Sequence, residues 1–413
     1  MAAPMEAKTF RVIKTFVGHE PPLLLEKQGP VARMGESLVL ISLHPSRKLR
    51  HDLARIGFTH IQEFSILPSR ARLRWLLPAH APLMLSGLQM YAPFSFRARL
   101  FKALLTGMTR LGWKGWSRAR LLLASRKPLP LQVLVTEVTG EKQPVFALSV
   151  GNPEHLRLLT VQVMRPCGEV LGYMKLPLTP AAGECVRHEA KVLSYLWEKS
   201  PALHRHIPRV LHSGQWDNDF LLFQSGGPSK PGPQRFEKMH LEFLELLQQV
   251  DLVERTGNLV VEETATSWRR VESRLDLEWR RVGEDTLHQA RQFLGETPLR
   301  CGVMHGDFAP WNTRQQKGQL FVFDWESARW QAPNMWDIFR FYERVSLLLD
   351  KKQVRYPEGL ASTTEQGLFL LYCLRSVCDA LEHGGCRVDA KLNYQKHQVL
   401  RCLRQGLGQN YTV

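Results

Sequence analysis

A chain of 413 residues, 44% of them hydrophobic, is long enough for two or three domains, and no apolar run reaches the length of a membrane span. Seven scattered cysteines, odd in number and without zinc-finger spacing, argue against a disulfide framework and for a reducing compartment. The net charge of +16 is concentrated in one region: residues 1–130 hold 21 Lys/Arg against 6 Asp/Glu, whereas 131–413 hold 34 against 33, so only the N-terminal third calls for an acidic partner.

Residues 1–16 lack the apolar core of a secretory signal, so the expected location is cytoplasmic, with peripheral attachment at the inner face of the membrane as a variant. Leu38 to Leu43 predicts a strand, Ser46 caps a helix from Arg47 to Ile56, and His60 to Leu67 returns as a strand. The run Leu53-Ala54-Arg55-Ile56-Gly57-Phe58 in this β-α-β piece faintly resembles the end of class I methyltransferases. No glycine-rich cofactor loop precedes it, so it reads as an α/β accessory piece or a vestigial module rather than a site of methyl transfer. Arg70, Arg72 and Arg74 follow beside Trp75. Residues 96–126 then interleave Arg97, Arg99, Lys102, Arg110, Lys114, Arg118, Arg120 and Arg126 with Leu100, Leu104, Leu111, Trp113, Trp116 and Leu121 to Leu123. Basic residues among Trp and Leu at helical spacing suit an amphipathic helix packed on its neighbours, or an anionic membrane surface. No nucleic-acid motif accompanies them, and nothing in the sequence sets an oligomeric state.

Three short apolar runs with turn signals between them, Val145–Val150, Leu158–Met164 and Val170–Leu176, predict an antiparallel meander. Lys175 falls on the third. A helix expected from about Gly183 carries Glu184, Glu189 and Lys191, with Val186, Ala190, Leu193 and Leu196 at helical spacing; Glu189 is the better partner for Lys175 and Glu184 the fallback. Phe220 to Gln224 is a strand running into Gly226-Gly227-Pro228, a connector. Helices are expected over Arg235 to Val250, Thr264 to Leu294, Glu365 to Leu381 and Tyr394 to Leu407.

One stretch dictates a chemistry. His305-Gly306-Asp307-Phe308-Ala309-Pro310-Trp311-Asn312 puts an Asp and an Asn five apart on a loop bent by a proline. Gln319 to Phe323 then reads as a strand after a Lys317-Gly318 turn, and it ends on Asp324-Trp325-Glu326. Asp307 can accept or orient the proton of a hydroxyl. Asn312 and Asp324 offer hard oxygens suited to Mg²⁺ on a nucleotide. His305 reads as a brace for the loop, and Asp337 as an N-cap or brace.

This segment resembles the catalytic loop of the aminoglycoside phosphotransferase and choline kinase family, distant relatives of protein kinases, whose pattern is His-x-Asp-x-x-x-x-Asn followed by a metal-binding Asp. The resemblance covers about residues 140–410. It implies an α+β, protein-kinase-like two-lobed fold: a small antiparallel sheet lobe over 131–225 and a helical lobe over 226–413, with 1–130 as an extra basic region. It further implies ATP (GTP as the alternative) and Mg²⁺ as cofactors. Asp307 would be catalytic and Asn312 and Asp324 the metal ligands. Lys175, braced by Glu189, would contact the α- and β-phosphates. Backbone amides near Ser149 and Gly151 would cap a phosphate, and backbone groups near Gln224 would read the base. A single glycine at Gly151 departs from the Gly-x-Gly-x-x-Gly of protein kinases. The implied reaction is phosphoryl transfer to a hydroxyl of a small molecule or glycoconjugate. The basic N-terminal third favours an anionic or membrane-linked acceptor such as a saccharide. The alternative is a non-catalytic, nucleotide-binding scaffold recruited to an anionic surface.

Overall fold

The computed structural model describes residues 7–17, 23–25, 39–43, 45–69, 72–91, 93, 96–112, 120–151, 158–216, 219–348, 362–383 and 388–406. Two compact units emerge: Met1–Ser194 with Pro208–Ser229, and Tyr195–Ile207 with Lys230–Val413.

The first unit contains α1 (Ala7–Val17), β1 (Leu23–Leu25), β2 (Val39–Ser42), α2 (Arg47–Arg55), β3 (His60–Ser69), β4 (Arg72–Pro78), α3 (Ala81–Gly87), α4 (Phe96–Arg110), β5 (Arg120–Ser125) and α5 (Pro130–Thr139). It continues with β6 (Val145–Val150), β7 (Leu158–Met164), β8 (Val170–Pro177), α6 (Pro180–Lys199), β9 (Val210–Trp216) and β10 (Asp219–Ser225). Its strands form one ten-stranded sheet in the order β1-β2-β5-β3-β4-β6-β7-β8-β10-β9. The expected meander is β6-β7-β8, but its sheet does not stop there. Trp75 and Leu76 of β4 pair with Ser149 and Leu148 of β6, which joins the N-terminal strands to it.

Strand periodicity explains how both faces are covered. Leu121 and Leu123 of β5 share a core with Val12, Phe16 and Val135, on the side of α1 and α5. Leu122 and Ala124 point the other way, onto Leu49, Leu53 and Phe58. Likewise Leu76 and Leu148 join the first core, while Leu77 and Ala147 pack with Leu88 and Leu105 on the side of α3 and α4. Two expectations change here. Leu121 to Leu123 are not part of an amphipathic helical run but of an inner strand, 1, 1 and 2% exposed, because a strand buried on both faces reads as a continuous apolar stretch. The strands β2 and β3 of the β-α-β piece are not neighbours, since β5 pairs with each of them antiparallel and lies between. Arg70, Lys114, Arg118, Trp113 and Trp116 fall outside the described residues.

The second unit contains α7 (Lys238–Gln248), β11 (Val253–Thr256), α8 (Gly257–Val271), α9 (Leu277–Leu294), β12 (Pro298–Met304), β13 (Thr313–Gln316), β14 (Gln319–Val322), β15 (Arg329–Pro333), α10 (Trp336–Leu348), α11 (Thr363–His383) and α12 (Val388–Gly406). Helices α8, α9, α11 and α12 enclose a core that includes Trp268, Trp279, Leu371 and Val399. The single helix expected from Thr264 to Leu294 is two helices. The first run ends at Val271, and Asp276 caps the second, its carboxylate accepting from the Trp279 amide at 2.7 Å. The chain is thus α+β, a sheet antiparallel throughout except for the parallel β1–β2 pair, with its helices, in one unit and a mainly helical second unit.

Candidate active site

Strand β12 delivers the chain to His305, and the loop that follows is pinned by backbone bonds. The amides of His305 and Gly306 donate to the two carboxylate oxygens of Asp337, at 2.7 and 2.9 Å. Asp337 is therefore a brace, buried near the start of α10, and burial pushes its carboxyl upward against the pull of His305 and the two amides. Gly306 turns the chain at φ +80°, and a Cβ there would lie 2.0 Å from the Ser327 carbonyl oxygen, so no other residue fits.

His305 is wholly buried. Its Nδ1 accepts from the Asp307 amide at 3.2 Å, so its proton sits on Nε2, which donates to the Phe323 carbonyl at 3.1 Å. Burial holds its pKa down, and a neutral ring with both nitrogens engaged is a strut, as the sequence suggested. The ring packs edge-on against Trp325 at 4.6 Å, and Phe308 stacks on Phe243 at 5.9 Å beneath the loop.

The hairpin β13–β14 explains why residues twelve apart in sequence share a site. Thr313 pairs with Val322, so Asn312 leads into the hairpin where Phe323 and Asp324 leave it. The Phe323 amide closes that end by donating to the Asn312 carbonyl at 3.1 Å. At the far end Lys317 and Gly318 take positive φ, 50° and 77°, as a two-residue hairpin turn requires. Asn312 Nδ2 donates to the Asp307 carbonyl at 2.9 Å and to its Oδ2 at 3.1 Å, which points the amide nitrogen at the acid and leaves the amide oxygen for a cation. Asp324 sits at φ 75°, and its carboxylate oxygen lies within 4.8 Å of one from Glu326. Two carboxylates and an amide oxygen are a hard donor set that fits Mg²⁺. Glu326 was not singled out as a ligand in the sequence, although it lies two residues from Asp324.

Two further residues at Asp307 escaped the sequence reading. Arg344 donates from Nε to Asp307 Oδ1 at 2.8 Å, and Arg340 Nε stands 3.6 Å from the same oxygen. Burial alone would push the Asp307 carboxyl up. The two guanidiniums and the Arg344 hydrogen bond outweigh it and hold the pKa at about 2.

In the other unit, Lys175 Nζ donates to Glu189 Oε2 at 2.5 Å, with the lysine 5% exposed and the glutamate fully buried. Glu184 instead pairs with Arg187, so it is not the lysine's partner. Ser149 lies in β6, paired with Thr160. The Gly151 amide donates to the Leu158 carbonyl at 2.9 Å, so it is not available to cap a phosphate while that bond is made; Asn152 lies outside the described residues. Gln224 lies in register between Tyr173 and Val210, inside the sheet, so Gly226 and Gly227 are the first residues past the strand end.

Residues 173–368 match the family described as the phosphotransferase enzyme family. This segment is a phosphotransferase-family domain. It takes in Lys175, Glu189, Gln224, Asp307, Asn312 and Asp324, and it bears out the resemblance read from the catalytic loop. No curated protein matches the sequence. Among solved structures, one likeness is to a thermostable mutant of aminoglycoside phosphotransferase APH(4)-Ia in ternary complex with ADP and hygromycin B. It has 14% identity and a TM-score of 0.48, covering 67% of this chain and 99% of that one. A GDP complex of an aminoglycoside 2'-phosphotransferase-IIIa mutant shows 12% identity and a TM-score of 0.44 over 69% of this chain and 100% of that one. A protein described as a fructosamine-3-kinase from Thermobifida fusca shows 18% identity and a TM-score of 0.43 over 66% and 99%. At that distance these likenesses carry nothing about the acceptor. No helix among the described residues is long and apolar enough to cross a membrane.

Proposed function

We propose that this protein transfers the γ-phosphoryl group of ATP, with GTP as the alternative donor, to a hydroxyl of a small molecule or glycoconjugate. The acceptor oxygen forms the new O–P bond, the bond between the γ-phosphorus and the β–γ bridging oxygen breaks, and the nucleoside diphosphate leaves. The hydroxyl proton passes to Asp307 or, through it, to solvent. The observation that carries this reading is the convergence of Asp307, Asn312 and Asp324 at one end of the β13–β14 hairpin. A carboxylate held near a pKa of 2 is a weak base, so Asp307 acts chiefly by orienting the hydroxyl in line. Asn312 and Asp324, with Glu326 beside them, would hold Mg²⁺, which neutralises phosphate charge when bound. The buried Lys175, fixed by Glu189, contacts the α- and β-phosphates, and the backbone from Gln224 to Gly227 reads the base.

For the basic region we propose contact with an anionic surface through α4. Leu100 and Leu104 are each 50% exposed and Leu111 is 86% exposed, beside exposed Arg97, Arg99 and Arg110. Not one acidic residue occurs between Glu63 and Glu137. Strand β5 takes no part, being inside the sheet.

The deciding experiment is ADP release across a panel of hydroxyl acceptors. Asp307→Asn should lower turnover by about 10²–10⁴-fold while Mg²⁺-ATP still raises the melting temperature. Protection by Mg²⁺-ATP without ADP release from any acceptor would favour the non-catalytic scaffold; unchanged turnover in the variant would reject the role of Asp307.

A further inference from the structure

Helix α10 carries a charged cluster that the transfer step itself leaves unused. Arg340, Glu343 and Arg344 are three and four residues apart, so they share one helix face. Arg344 reaches Asp307 Oδ1 with Nε at 2.8 Å and with one terminal nitrogen at 2.6 Å. Arg340 Nε is buried and makes no hydrogen bond among the described residues. Lys391 of α12 stands 3.5 Å from Glu343, which also accepts from the Tyr372 hydroxyl and from Ser376 at 3.0 Å. Three cations thus face two carboxylates, a surplus of one positive charge beside the acid that orients the acceptor.

The other carboxylates packed around this face do not reverse that balance. Asp337, held by the loop amides, adds one negative charge, but Asp379 brings Arg329 at 2.8 Å and Arg375 at 3.1 Å, so five cations stand against four carboxylates and the surplus of one remains. Asp324 and Glu326 are the carboxylates that would hold Mg²⁺, whose two positive charges would offset theirs. An ammonium group brought to Asp307 would therefore meet two guanidiniums. An anion would meet spare donors: Arg344 is 28% exposed and, among the described residues, its second terminal nitrogen makes no hydrogen bond. Asp307 has two unlike oxygens. Oδ1 is occupied by arginine, whereas Oδ2 accepts, among the described residues, from Asn312 alone and keeps capacity for a hydroxyl proton.

We propose that the acceptor carries a carboxylate or phosphate close to its reacting hydroxyl, and that Arg344, with Arg340 beside it, is the residue that selects it. The hydroxyl approaches Oδ2 while the anion binds the guanidinium on the Oδ1 side. This rests on the phosphotransfer reading above and names its acceptor class.

The test compares wild type, Arg344→Gln and Arg344→Lys. Neutral, carboxylated and phosphorylated acceptors (glucose, glucuronate and glucose 6-phosphate; glycerol, glycerate and glycerol 3-phosphate) are assayed beside kanamycin by ADP release. Inorganic phosphate and acetate, at matched ionic strength and without nucleotide, probe the anion site by thermal shift. Wild type should prefer an acidic member over its neutral parent by ~10-fold or more in kcat/KM. Arg344→Gln should erase most of that ratio, and Arg344→Lys should restore part of it. Which acid wins tells carboxylate from phosphate. Phosphate or acetate should protect wild type and not Arg344→Gln. Preference for kanamycin, equal loss on neutral and acidic acceptors, or equal anion protection of both proteins would overturn the inference. Absence of ADP release from every acceptor, with Arg344-dependent anion protection intact, would instead refute the phosphotransfer reading and leave the anion site standing.

Discussion

Asp307 shows how one residue's chemistry is set by contacts that no local sequence pattern displays. Its burial disfavours the charge, yet Arg344 and Arg340 hold the pKa at about 2. Because that lies below the ordinary carboxylate value of about 3.9, the ion pair stabilises the fold fully above pH ~4 and loses its contribution as pH falls through about 2. The acid limb of kcat/KM due to Asp307 should therefore lie below pH ~3. In Arg344→Gln the counter-charge is gone while burial remains, so that limb should rise above pH ~4. A pH–rate profile of both proteins measures this, and coincident acid limbs would mean that Arg344 does not tune the carboxyl. Lys175 and Glu189 offer a second residue-scale test. Glu189→Gln leaves a buried lysine without its counter-charge, and breaking such a pair typically costs about 3–5 kcal/mol. Denaturant unfolding should show that loss together with weaker Mg²⁺-ATP binding; full stability would show that the pair is not desolvated.

At the scale of elements, the loop from His305 to Asn312 is held at both ends by different means. The Asp337 carboxylate takes two amides at its start, and the hairpin closes its finish. Gly306→Ala would force a Cβ against the Ser327 carbonyl at a left-handed backbone position, so a loss of about 2–4 kcal/mol is expected, with turnover falling at the same time. Unfolding midpoints within error of wild type would mean that the turn can relax. Asp337→Asn keeps one acceptor oxygen and turns the other group into a donor facing an amide. Turnover should drop by about 10-fold, with the stability loss smaller than for Gly306→Ala. If kinetics are unchanged, the brace is not what positions Asp307.

For the molecule as a whole, the charge distribution makes the strongest claim. The surplus of basic residues belongs to the first 130 positions, and α4 exposes leucines among its arginines. Full-length protein should sediment with vesicles containing phosphatidylserine at low salt and release as ionic strength rises, because Debye screening shortens from about 30 Å at 0.01 M to about 8 Å at 0.15 M. Leu100→Asp with Leu104→Asp should abolish co-sedimentation without altering ADP release. Binding unaffected by that pair would place the contact elsewhere.

The candidate catalytic loop was legible before any coordinates because its chemistry is packed into twenty consecutive positions, His305 to Asp324, with a proline, a turn glycine, one candidate catalytic carboxylate and two candidate metal ligands at fixed spacing. Likewise β6, β7 and β8 could be drawn from alternation and turn residues alone, and Lys175 could be put on the third. Long-range pairing was not legible. That Trp75 lies beside Ser149, that β5 slots between β2 and β3, and that Leu121 to Leu123 are core rather than surface depend on which strand edges meet, and a short apolar run does not specify its partner. Nothing in the sequence singled out Arg340 and Arg344. Only folding α10 against the loop turned them onto Asp307, since local spacing orders residues along a face but does not say what that face will meet.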